Sequence, residues 1–89
     1  MVCRRYVVQG LVQGVFYRAT AQQTAQRLGL TGWVRNRDDG AVELIACGEP
    51  AKLDKFEHWL RQGPPRSKVE AVMVNEEAPQ AFTGFEVVP

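Results

Sequence analysis

The stretch Tyr6-Val-Val-Gln-Gly-Leu-Val12, running on through Gln13-Gly-Val-Phe-Tyr-Arg18, decides the fold of this chain. Its first half is short, β-branched and interrupted by glycine, so it reads as a strand over residues 4–12. Tyr6, Val8, Gly10 and Val12 share one face of that strand. From Phe16 to Leu28 the period lengthens. Ala21, Ala25 and Leu28 recur at helical spacing between glutamines, and Gly29 stops the helix. A strand that passes through glycine into a helix start presents a row of free backbone N–H groups, which suits an anion. Arg18, in the first helical turn, adds a planar cationic fork that matches a phosphate. The helix dipole mildly disfavours a cation there, and a nearby anion offsets that misfit.

Outward from this stretch, Leu30 to Asn36 reads as a second strand and Ala41 to Cys47 as a third. Between them, Arg37-Asp-Asp-Gly40 has hairpin-turn chemistry, with Asp-Gly supplying a positive φ. In the third strand Val42, Leu44 and Ala46 alternate against Glu43 and Ile45. Pro50 fits a first helical position, Leu53, Phe56 and Leu60 make an apolar stripe, and Gly63-Pro-Pro ends it, giving a helix over 50–62. Val69 to Glu76 is a fourth extended segment, Ala78 to Gly84 a loop, and Phe85 to Val88 a short terminal strand. The order βαββαβ predicts an α+β fold: a ferredoxin-like sandwich with an antiparallel sheet and two helices on one face. Right-handed crossover makes strands one and two parallel with strand three between them, antiparallel to both.

This topology brings the ends of strands one and two to the same edge of the sheet. The loop of Gln13, Gly14, Val15, Phe16, Tyr17 and Arg18 therefore converges with Asn36. An asparagine is no proton acceptor at neutral pH. It can hold a water through its carbonyl and a substrate oxygen through its NH2 group. Blander readings stand beside these: a glycine before a helix as a plain turn, Arg18 as a solvated side chain, Asn36 as the start of the hairpin turn. Asp38 and Asp39 read as solvated turn residues, His58 as a surface residue of the second helix, and Trp33 and Trp59 as packing residues.

Composition narrows the function classes. The 89 residues make one domain, 1–89, which buries only about 60–65% of its unfolded surface. Eleven Lys and Arg against ten Asp and Glu leave a net charge of +1, giving no general reason to expect nucleic acid or an anionic membrane as partner. No apolar run approaches the roughly 20 residues of a membrane span, and Met1-Val-Cys-Arg-Arg-Tyr6 lacks a signal-peptide core. A cytoplasmic monomer is the default. Cys3 and Cys47 form no Cys-x-x-Cys pair, and the single His58 is not at ligand spacing from either, so no metal is expected. Two reduced thiols are the expectation for that compartment. The antiparallel pairing of strands one and three nevertheless brings Cys47 towards Cys3, both on the face away from the helices, so a disulfide is the alternative.

Gly10-Leu-Val-Gln-Gly-Val-Phe-Tyr-Arg18 resembles the first signature of the acylphosphatases, G-x-V-Q-G-V-x-[FY]-R. Gly32-Trp-Val-Arg-Asn36, followed by Gly40-Ala-Val42 and Gly48, is similar to their second. Gly63-Pro-Pro and Phe85-x-Val87 fit the later landmarks, and the resemblance covers essentially the whole chain. It implies hydrolysis of the carboxyl–phosphate bond of small acylphosphates to a carboxylate and inorganic phosphate, without metal or organic cofactor. It also implies that Arg18 binds the phosphate, that Asn36 positions the attacking water, and that residues 13–18 form the phosphate cradle. Phosphate is then both product and inhibitor. Two alternatives are weighed against this. One is a non-catalytic accessory domain of the same fold. The other is a ferredoxin-like RNA-binding module, for which Ala41-Val-Glu-Leu-Ile-Ala46 lacks the aromatic run.

Overall fold

The computed structural model describes residues Met1–Pro89. Strand β1 (Val2–Leu11) leads into helix α1 (Tyr17–Arg27), the hairpin of β2 (Thr31–Asn36) and β3 (Val42–Gly48), helix α2 (Pro50–Gln62), β4 (Lys68–Glu77) and β5 (Phe85–Val87). The five strands lie in the order β4-β1-β3-β2-β5. β3 is antiparallel to both β1 and β2, as the crossover rule requires. β5 pairs parallel to β2, so the sheet is mixed rather than purely antiparallel. Three residues carry too little pattern to announce a direction, and the loop that returns from β4 decides it.

The alternation in β1 and β3 places Tyr6, Val8, Val42, Leu44 and Ala46 under the helices. Ala21 and Ala25 let α1 lie close to the sheet, while Leu53, Phe56 and Leu60 form the buried stripe of α2. The Phe56 ring meets Tyr6 edge-on at 6.0 Å between centroids and Phe85 at 5.8 Å. Each such large side chain contributes about 1.5–3 kcal/mol on burial. Burial also pushes the Tyr6 phenol up to about 12, opposed by the neighbouring Arg4. The Gly10 position departs from the expected alternation. A register shift falls between Gln9 and Gly10, where φ is +129° and a Cβ would collide with the Lys68 carbonyl. The expected helix bounds also tighten: Phe16 is the N-cap and Leu28 the C-cap of α1, outside the helix proper.

The opposite face has no helix. Cys3 and Cys47 face each other across β1 and β3, Cα to Cα 4.0 Å, and are joined by a disulfide, in place of the two reduced thiols expected from compartment alone. Ile45 sits with them, and Trp33 and Phe82 pack over the group. Further along this face Glu43 is only 2% exposed. Arg35 binds its Oε1 from β2, Nε at 2.8 Å and Nη2 at 2.6 Å, and Arg5 pairs with Oε2 from β1. Two cations from the flanking strands thus neutralise a carboxylate on the central one.

Candidate active site

The residues from Gln13 to Phe16 form one continuous bend between β1 and α1. Gly14 has φ +75°, and Phe16 has φ +64°, ψ 22°; Phe16 is the one non-glycine residue in the left-handed region. No side chain caps α1, and its first turn holds no acidic residue. Its opening N–H groups are therefore left to the cleft, with the positive end of the helix behind them.

Arg18, in the first turn of α1, has no acceptor among the protein's own groups. Of the eight arginines, six hold a protein acceptor. Arg66 is exposed without one; Arg18 is half-buried without one. Asn36 closes β2 opposite Val42, and its Oδ1 is buried with no hydrogen-bond partner. An orphaned buried acceptor costs about 1–3 kcal/mol, which a fold tolerates where a ligand or water completes it. Both side chains line the same cleft of about 320 Å3, together with Gly14, Phe16 and Tyr17. Val12, Ala19 and Val87 add apolar surface to it.

Not every residue of the expected loop has its side chain there. The Tyr17 ring belongs to the core, and its hydroxyl donates to the Leu60 carbonyl at 2.7 Å. Val15 packs against the core as well. The Gln13 amide turns the other way, its Nε2 donating to the carbonyls of Arg37 at 2.8 Å and Ala41 at 3.0 Å. It ties the loop to the β2–β3 turn directly after Asn36, and so couples the two halves of the cleft. That clamp and the Val87 wall from β5 escape a reading of the sequence, because both partners are distant in the chain. The other expectations hold: Asp38 and Asp39 are exposed in the turn, His58 is exposed on α2, and Trp33 and Trp59 pack against the two cores. No helix of the chain is long and apolar enough to cross a membrane.

Comparison with known proteins gives the family of the chain. The acylphosphatase family model matches residues 4–87. The acylphosphatase of Azoarcus sp. (strain BH72) is 47% identical over 89 residues, covering 100% of this chain and 91% of its own. The crystal structure of the acylphosphatase from Bacillus subtilis superposes with a TM-score of 0.97 at 39% identity, over 100% of both chains. The structure of an acylphosphatase from Coxiella burnetii gives 0.95 at 40% identity, over 98% of this chain and 92% of the other. With the family model matched over residues 4–87, and with relatives similar in sequence and fold over the whole chain, this chain belongs to the acylphosphatase family.

Proposed function

We propose that acylphosphate hydrolysis in this chain runs on two side chains, Arg18 and Asn36, and on the backbone amides of Gly14 to Arg18. The observation that carries the reading is the pairing, in one cleft, of a half-buried arginine and a buried amide oxygen, neither with a protein partner. The phosphate of a small acylphosphate sits against the loop amides and the first turn of α1, with the Arg18 guanidinium binding two of its oxygens. Asn36 Oδ1 accepts a hydrogen from the attacking water, and Nδ2 donates to a phosphate oxygen.

The chemistry asks for little more. Water forms a P–O bond as the bond between phosphorus and the carboxylate oxygen breaks. The leaving carboxylate is weakly basic and departs without a general acid. The water's proton passes to a phosphoryl oxygen, and the products are a carboxylate and inorganic phosphate. Phosphoryl transfer of this kind is largely dissociative, so positioning and charge neutralisation do most of the work. Phosphate fills the same cradle after turnover and inhibits competitively. The rate is flat across neutral pH, since the step uses no side chain as general acid or base. A monomer in the cytoplasm completes the reading; size-exclusion chromatography and cell fractionation check it.

Titrating 15N-labelled protein with inorganic phosphate tests the assignment. Amide signals from Gly14 to Arg18, the Arg18 Nε–H and the Asn36 side-chain NH2 should move together on one binding curve. Shifts confined to other arginines, such as Arg66 or the Arg5–Arg35 pair, overturn it. In water enriched in 18O, the label should appear in phosphate and not in the carboxylate.

A further inference from the structure

We infer that Phe16 is the specificity-determining residue for the acyl group, and that the cleft favours acylphosphates with apolar, aryl-sized acyl groups. The inference rests on the cradle reading above, because that reading fixes which end of the substrate faces Phe16.

Three observations carry it. Phe16 lines the cleft yet leaves 78% of its surface exposed. It is also the N-cap of α1 with φ +64°, a conformation that bulky side chains rarely adopt. A strained, uncovered aromatic at a binding loop stands where a ligand, not the fold, makes use of it. The second observation is its company. Val87, at 39% exposure, rises from β5, and Val12 and Ala19 continue the apolar lining. The polar groups, Arg18, Asn36 and the loop amides, cannot serve an uncharged hydrocarbon, so the cleft divides into a phosphate part and an apolar part. The third is size. A cleft of about 320 Å3 falls at the lower end of small-molecule sites, whereas a phosphate group has only five heavy atoms. The remaining space suits an acyl group of comparable or larger size. A ring lying against Phe16 and Val87 gains both area burial and an aromatic contact.

The test compares kcat/KM for benzoyl phosphate and for acetyl phosphate, expressed as a ratio and normalised to wild type, so that intrinsic reactivity cancels. Phe16→Gly accepts the left-handed backbone without a side chain; Phe16→Tyr keeps the ring. Phe16→Gly should lower the benzoyl/acetyl ratio about tenfold, mainly through a higher KM for benzoyl phosphate, and Phe16→Tyr should restore it. Inhibition by inorganic phosphate is measured on each protein. Proportionate loss on both substrates, or an unchanged ratio, while phosphate still competes in wild type, overturns the Phe16 assignment alone. Failure of phosphate to compete in the wild-type enzyme overturns the cradle reading and this inference together.

Discussion

The two ends of the sheet are built on opposite terms. Where β1 begins, Cys3 is bonded to Cys47, Ile45, Trp33 and Phe82 pack around the bridge, and the Gln80 N–H points at the Cys3 sulfur at 3.4 Å. Where β1 ends, Arg18 has no acceptor, Asn36 Oδ1 has no donor, and Phe16 holds an unfavourable backbone in the open. One end is closed by covalent and apolar contacts; the other keeps its polar groups available. On the function proposed above, groups that bind a phosphate cannot also be satisfied by the protein, so the fold carries their cost and recovers it elsewhere.

The largest effect that this contrast predicts is on turnover. Arg18→Lys keeps the charge but loses the fork, and kcat/KM should fall roughly 10³-fold or more. The melting temperature should barely move, since Arg18 has no protein partner to lose. A large fall in stability would break the comparison by showing that Arg18 supports the fold.

Reduction of Cys3–Cys47 should do the reverse. The residues are 44 apart in sequence, and a loop of this length is worth about 3–4 kcal/mol in the entropic account. Tm should drop by more than about 10 °C in calorimetry. Activity at a temperature where the reduced protein remains folded should be retained. Loss of kcat in the folded, reduced enzyme would couple the two ends.

Asn36→Ala should lower kcat by about 10²-fold while the phosphate inhibition constant changes little, because the lost interaction belongs to the transition state. Tm should hold or rise, since an orphaned acceptor is removed. If kcat survives and only phosphate affinity drops, Asn36 is a phosphate ligand and not the holder of the water. Asn36→Asp places a negative charge beside the phosphate and should abolish turnover.

The smallest effect lies at high pH and belongs to the core alone. Burial raises the Tyr6 phenol to about 12 and pushes Tyr17 up further still. A raised folded value means that the folded state holds the proton more tightly. Its contribution is intact below the unfolded value of about 10 and is lost as pH climbs from there through the folded value. Tm should therefore be steady through neutral pH and fall above about 10, and Tyr6→Phe should make that decline shallower. A Tm profile that declines just as steeply in Tyr6→Phe would remove Tyr6 from the alkaline transition.

Most of the framework was legible because it depends on neighbours in sequence. Period two in Tyr6/Val8 and Val42/Leu44/Ala46, the stripe of Leu53, Phe56 and Leu60, and Pro50 and Gly63 at the helix ends all report local geometry. The cleft was legible for a related reason: a glycine loop entering a helix leaves backbone N–H groups free within a few residues of one another. Glu43 shows the limit. Alternation sets it on the face away from the helices and says nothing about what covers it there. Its burial needs Arg35 directly opposite on β2 and Arg5 reaching over from β1. Phe16 shows another limit, since an aromatic residue at the edge of a helical pattern gives no sign of being an uncovered cap.

The sequence by itself determined the elements, their order, the sheet on which they pack and the glycine loop that opens α1. Hydrophobic period, turn residues and caps act within a few positions of each residue. Only the tertiary structure decided that β5 runs parallel to β2, that Cys3 and Cys47 are bonded, that two arginines bury Glu43, and that Gln13 clamps the loop to the turn beyond Asn36. Each of these joins residues far apart in the chain. Strand register sets their separation, and register is a property of the packed sheet that no short stretch encodes.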